Sequence, residues 1–221
     1  DIVLVPTYLS NIEMYWELPS FARFHERLAA FSRLILFDRR GSGMSDGIAG
    51  ATPLEEQIDD VQAVIDAVGC EQPVLASWLE GCTLTALYAA SHPDLVRALV
   101  LISPQARLVA GPGYEWAPSI ETRAAMVQAI VESWGSDSPD NPIALGIGGD
   151  DPRLRSVMAR LQRLAMSPAA AAAALAIIGE TDVREVLPSV QCPTLVVRQE
   201  HDEYLDERHC RYVAEHIPGA R

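Results

Sequence analysis

The chain has 221 residues, 49% of them hydrophobic and 21% charged, and a formal net charge of −13. That size and balance fit one well-buried α/β domain or two small ones. The acidity argues against a nucleic-acid or anionic-membrane surface, since both need a basic patch, and is most simply read as solubility.

The elements follow in chain order. "IVLVP" (2–6) is a continuous apolar, β-branched run, the pattern of a strand buried on both faces of a parallel sheet. "SFARFHERLAAF" (20–31) spaces Phe21, Phe24, Leu28 and Phe31 as the inward stripe of a helix. "RLILFD" (33–38) is a second buried strand, followed by the glycine-rich loop "RRGSGMSDGIAG". "TPLEEQIDDVQAVIDAVG" (52–69) predicts a helix with Thr52 as N-cap, Pro53 at its first position and Glu55 completing a capping box. Leu54, Ile58, Val61, Ile65 and Val68 form its buried stripe, and Gly69 its left-handed stop. "PVLASW" (73–78) is a third strand, "GCTLTALYAASH" (81–92) a helix, and "VRALVLIS" (96–103) a fourth strand.

Residues 104 to 187 then lack a strand pattern and predict helices near 119–134, 152–165 and 168–179, between loops rich in Pro and Gly. "CPTLVVRQ" (192–199) restores the buried-strand pattern. "DERHCRYVAEHIPGAR" (206–221) predicts an amphipathic helix with Tyr212, Val213 and Ile217 facing inward. Strands alternating with helices imply a mostly parallel central sheet flanked by helices. The divisions expected are a core over 1–103, a helical cap inserted over 104–187, and the rest of the core over 188–221. Such a cap would roof the C-terminal edge of the sheet, where ligands of these folds bind.

Cys70, Cys82, Cys192 and Cys210 show neither a CxxC nor a metal-ligand spacing, so they read as reduced thiols of a cytoplasmic protein, with no metal or cofactor expected. The most apolar run, "MSPAAAAAALAIIG", is too short to span a bilayer. The chain opens on Asp1 and enters a strand at once, so no signal peptide is read, and a start without Met suggests preceding residues.

The chemistry centres on "SWLEG" (77–81). A strand, a sharp turn and a helix with small flanking residues make a nucleophile elbow of the G-x-S-x-G type. Ser77 and Gly81 stand at the glycine positions, and Leu79 stands where the serine belongs. Leucine has no nucleophilic atom. Ser77 lies too early, on the strand; Cys82 lies too late, inside the helix; the Glu80 carboxylate is expected to point away from the turn.

The segments "VPTYLSNIEMYWELPSFARFHERLAAFSRLILFDRRGSGMSD", "DVQAVIDAVGCEQPVLASWLEGC", "HPDLVRALVLIS", "DVREVLPSVQCPTLVV" and "RYVAEHIPGAR" resemble the α/β-hydrolase fold. More narrowly, they are similar to the α/β-hydrolase domains that accompany class III adenylate/guanylate cyclase domains in actinobacteria. The resemblance implies that Leu79 occupies the nucleophile position and Asp202 the catalytic-acid position, with Asp206 the second candidate. It implies oxyanion N–H donors at Tyr8 and Glu80, although Thr7 replaces the glycine usual in that loop. It places the catalytic histidine beyond Arg221. His25, His92, His201, His209 and His216 do not fit that role and read as surface or capping residues. The fold is therefore expected to be truncated at both ends.

The expected function is a catalytically silent small-ligand-binding or regulatory domain. Its expected partners are a small apolar or acyl ligand in a capped pocket, an attached cyclase domain and a second copy of the chain. The alternative is an esterase acting on small acyl esters, with its mechanism completed outside this sequence. A lyase or oxygenase of the same fold would still need the histidine, and a dehalogenase or epoxide hydrolase would need an aspartate at position 79.

Overall fold

The computed structural model describes residues 1–48, 50–200 and 205–221, with the backbone alone for 147 and 148. The apolar runs become β1 (Ile2–Val5), β2 (Leu34–Leu36), β3 (Val74–Trp78), β4 (Ala98–Ile102) and β5 (Thr194–Val197). Every neighbouring pair is parallel, in the order β2-β1-β3-β4-β5. The chain thus runs outward from β1 to β2, then returns past β1 to place β3 on its other side. The crevice at such a reversal lies beyond the C-terminal ends of β1 and β3. Val5 is in register with Ser77, so the loop after β1 begins level with the turn after β3.

The crossovers are helical. α1 (Ile12–Tyr15) and α2 (Pro19–Ala29) link β1 to β2, α3 (Leu54–Ala67) links β2 to β3, and α4 (Gly81–Ser91) links β3 to β4. Four helices intervene between β4 and β5: α5 (Ile120–Glu132), α6 (Pro142–Gly148), α7 (Pro152–Ala165) and α8 (Pro168–Glu180). α9 (Glu207–His216) follows β5 and buries Val213, with Ile217 buried just beyond its end. Among the described residues, no single helix is long and apolar enough to cross a membrane.

Two apolar clusters hold these layers. The larger joins Val3, Val5, Leu75, Leu99 and Leu101 of the sheet to α3, α4 and α9. α4 is made of small and apolar residues on all sides and sits in the middle of this cluster, as the all-round pattern requires. The smaller cluster packs Leu9, Met14 and Leu18, from the segment after β1, against Ala144 of α6 and Met158, Leu161 and Ala165 of α7. Buried Gln162 pins α7 to the preceding chain: its Oε1 accepts from the Gly135 N–H at 3.0 Å and from Asn141 Nδ2 at 2.7 Å.

Several expectations need correction. α3 begins at Leu54, and Pro53 is its N-cap, with no side-chain cap hydrogen bond. The extended Pro53 backbone (ψ 152°) moves Thr52 out of reach of the first-turn N–H groups. Gln57 Nε2 donates to the Thr52 carbonyl instead, at 2.8 Å, and the buried Thr52 Oγ1 has no partner. Gly69 does adopt φ +61° and stops the helix. Phe31 is 74% exposed, because α2 ends at Ala29 and leaves it in the turn before β2. α6, read from sequence as loop, is capped by Asn141, whose Oδ1 accepts from the Ile143 and Ala144 N–H groups.

Two histidines read as surface or capping residues are buried. His25 lies among the rings of Tyr15, Trp16, Phe21 and Phe24, and neither of its nitrogens is hydrogen-bonded. His209 Nδ1 sits 2.7 Å from the Tyr114 hydroxyl, which also accepts from the Ala106 N–H at 3.2 Å. His92 and His216 do behave as caps, with Nδ1 at 3.2 and 2.8 Å from the carbonyl one turn back.

With its oxygen taken by Ala106, the Tyr114 hydroxyl donates to a neutral His209. Burial pushes the His209 imidazole down to about 4, and burial lowers His25 as well. A folded value below the unfolded one means that the unfolded chain takes up more protons in that range. Unfolding free energy should therefore hold above pH 6.5 and fall as pH drops towards 4. Urea titrations at pH 7.5, 5.5 and 4.5 should show a shallower fall for His209→Asn, whose amide oxygen can replace Nδ1 as acceptor.

Candidate functional site

The turn after β3 is strained in the manner of an elbow. Leu79 has φ +48°, a left-handed conformation that costs a non-glycine residue about 1–2 kcal/mol. Its N–H donates to the Ile102 carbonyl of β4 at 3.0 Å, and its carbonyl accepts from the Cys82 N–H at 3.1 Å. α4 can start this close to the sheet because Gly81 has no side chain: a Cβ there would lie 3.2 Å from the carbonyl oxygens of Val5 and Pro6. The Leu79 side chain is 41% exposed at the sheet's C-terminal edge.

The neighbouring candidates are spent or buried. Ser77 is fully buried and its hydroxyl has no partner. The Cys82 thiol donates to the Ser77 carbonyl at 3.3 Å, and burial pushes it up to about 12, far from a reactive thiolate.

Glu80 does not point away as expected. Its Oε1 reaches across the crevice and accepts from the Tyr8 N–H at 2.7 Å. Burial raises the carboxyl, opposed first by the charge of Arg39, then by the N–H groups of Tyr8 and of Glu80 itself, then by Arg123. The loop after β1 is further ordered by Thr7, whose hydroxyl donates to the Leu9 carbonyl at 3.0 Å, and by Arg39, whose Nε donates to the Pro6 carbonyl at 2.8 Å. Tyr8 and Tyr15 phenols are held well above their ordinary value by burial, with nearby carboxylates adding to the effect. Both stay neutral.

Of the acid candidates, Asp202 lies outside the described residues. Asp206 is the N-cap of α9, accepting from the Arg208 N–H at 2.9 Å and pairing with its guanidinium at 2.5 Å. Those bonds hold its carboxyl far below the usual range. Among the described residues, no group of three His, Cys, Asp or Glu side chains could hold a metal ion. Two cavities border the loop after β2, and none of residues 77–81 lines either of them. One, of about 50 Å³, separates Tyr8, Arg39 and Thr52 from α8; the other, of about 400 Å³, lies between the loop after β2 and α3.

A family profile described as the α/β hydrolase fold matches residues 2–221. The chain belongs to the α/β hydrolase fold family. The chain is 27% identical over 209 residues to the pimeloyl-[acyl-carrier protein] methyl ester esterase of Chromobacterium violaceum, an alignment covering 90% of this chain and 77% of that one. It is 28% identical over 173 residues to the enzyme of the same name from Neisseria meningitidis, covering 73% of this chain and 65% of that one. Among solved structures, the esterase EaEST of Exiguobacterium antarcticum superposes with a TM-score of 0.83 at 19% identity, covering 100% of this chain and 81% of that one. That likeness concerns the fold alone.

Within this α/β hydrolase, the positions given by the resemblance at Leu79, Glu80 and Tyr8 do converge on one crevice. Sequence reasoning missed the two guanidinium groups whose charges act there. Arg39 comes from the loop after β2 and Arg123 from α5. Only the acceptor-poor surroundings of a folded crevice distinguish them from ordinary surface arginines. Glu80→Ala removes the acceptor for the Tyr8 N–H and the one carboxylate acting on both arginines. It should lower the unfolding free energy by about 1–3 kcal/mol in a urea titration, and Glu80→Gln, which keeps the acceptor, by less.

Proposed function

We propose that this chain is a catalytically silent α/β-hydrolase domain that binds a small acyl ligand at its elbow. The observation that carries the reading is Leu79 itself. It occupies the strained turn with an exposed hydrocarbon side chain, so the elbow's architecture is kept without a nucleophile. A second observation supports it. In this reading Tyr8 and Glu80 are the oxyanion-donor positions, and the Glu80 carboxylate accepts from the Tyr8 N–H. An oxyanion hole works by presenting unoccupied donors to developing negative charge. Here that charge is supplied in advance by a side chain, in competition with any substrate oxygen.

The relatives are named as methyl ester esterases, which supports an acyl ligand with an apolar chain. The family resemblance supports a regulatory role beside a cyclase domain. Buried Cys70, Cys82 and Cys192, with neither a CxxC nor a metal-ligand spacing, fit a cytoplasmic setting. The alternative reading, an esterase for small acyl esters, is favoured by the relatives' names and disfavoured by Leu79.

A fluorophosphonate probe should leave the protein unlabelled, and p-nitrophenyl butyrate should turn over no faster than in buffer. Labelling that is abolished by changing a single serine would overturn the proposal. Leu79→Ser alone should not restore turnover while Glu80 holds the Tyr8 N–H.

A further inference from the structure

The larger cavity lies apart from the elbow, between the loop after β2 and α3, and its volume of about 400 Å³ is that of a small-molecule site. Its floor is apolar. Val61 of α3 and Leu84 of α4 are buried there, and Phe37 and Val64 pack against the same core cluster. Its polar wall comes from the loop after β2, together with Gln57 and Asp60 of α3. Arg39, Thr52 and Gln57 also line the smaller cavity, so they stand between the two.

Much of that wall is already engaged. Arg40 Nε donates to Asp60 Oδ2 at 3.0 Å and its Nη2 to Asp60 Oδ1. Gln57 accepts from Arg39 Nη1 at 3.2 Å and donates to the Thr52 carbonyl at 2.8 Å. Ser45 donates to the Asp38 carbonyl at 2.8 Å. Three residues of the wall nevertheless each carry a buried polar atom without a partner: Asp38 Oδ1, Arg39 Nη2 and Thr52 Oγ1. Leaving such atoms unmade is costly, and few groups in folded proteins are left so. The Asp38 oxygen accepts, the Arg39 nitrogen donates, and the Thr52 hydroxyl can do either. With Arg40 and Asp60 paired, the carboxylates of Asp38 and Asp46 stand against the one guanidinium of Arg39, so the wall carries no excess of positive charge.

We infer that this cavity binds a small uncharged molecule with a primary carboxamide head and an apolar chain. The amide oxygen has two lone pairs, one for the Arg39 nitrogen and one for the Thr52 hydroxyl, and the amide N–H groups supply donors for a carboxylate. The chain lies on Val61, Val64 and Leu84. A carboxylic acid would satisfy the guanidinium but brings no donor and adds a negative charge beside Asp38 and Asp46. A primary ammonium has donors alone and leaves the Arg39 nitrogen without an acceptor. No bond is made or broken.

Isothermal titration of the full chain with hexanamide, hexanoate and hexylamine tests this. Hexanamide should bind saturably and roughly tenfold tighter than either ion. Ala63 is exposed on α3 and lines the cavity, so Ala63→Trp should fill it and abolish binding without entering the core, with a thermal melt to check that it folds. Thr52→Val should weaken hexanamide roughly fivefold and leave the melting temperature no lower, because the hydroxyl has no partner to lose. No saturable binding of hexanamide, equal or tighter binding of either ion, or wild-type affinity in Ala63→Trp or Thr52→Val would each overturn the inference. So would a lowered melting temperature in Thr52→Val, which would show the hydroxyl to be engaged already. Fluorophosphonate labelling reports on the elbow alone, so either reading can fail without the other.

Discussion

A single hydrogen bond, from the Tyr8 N–H to Glu80 Oε1, ties the loop after β1 to the turn after β3. These two segments bound the crevice where the strand order reverses, so their separation sets the width of everything between them. The bond is possible because Gly81 lets α4 start against the end of β1, which brings residue 80 level with residue 8. Arg39 braces the same loop from below through the Pro6 carbonyl. The result is a crevice whose inward-facing donors are partly satisfied from within, by one carboxylate shared among backbone and guanidinium groups.

The strands and the elbow were readable from the chain alone, for a physical reason. A strand buried on both faces has to be apolar without interruption, and IVLV, VLASW and ALVLI are close to that limit. The elbow announces itself because close approach of helix and strand tolerates only small residues, here Ser77 and Gly81. The signals for α6 were also present, in Asn141 followed by Pro142, but the surrounding glycines hid them. Thr52 misled in the opposite direction: a residue type suited to capping sits one position too far from the helix it precedes.

What sequence could not supply was direction. Whether Glu80 turns into or out of the crevice depends on an unpaired N–H seventy-two residues earlier in the chain. His25 and His209 looked like surface residues because histidine is ambivalent towards burial. Their fate was set by aromatic neighbours, within its own helix and the preceding segment for His25 and from distant Tyr114 for His209. Arg123 is less legible still, since an arginine on a polar helix face carries no mark of what lies beneath it. The packing of α6 and α7 onto Leu9, Met14 and Leu18 has a related consequence. Helices α6 and α7 and the loop after β1 share one apolar cluster, so displacing one disturbs the other.

The left-handed turn at Leu79 belongs to the way α4 packs on the sheet, not to any reaction, and it persists with a leucine in place. The backbone there behaves as a fixed pedestal that presents whatever side chain the codon specifies. All four native cysteines are buried. A thiol installed at position 79 would therefore stand alone at an open surface, on a mount held by β-sheet hydrogen bonding. Position 79 is thus a ready attachment point for a spectroscopic label at the turn after β3.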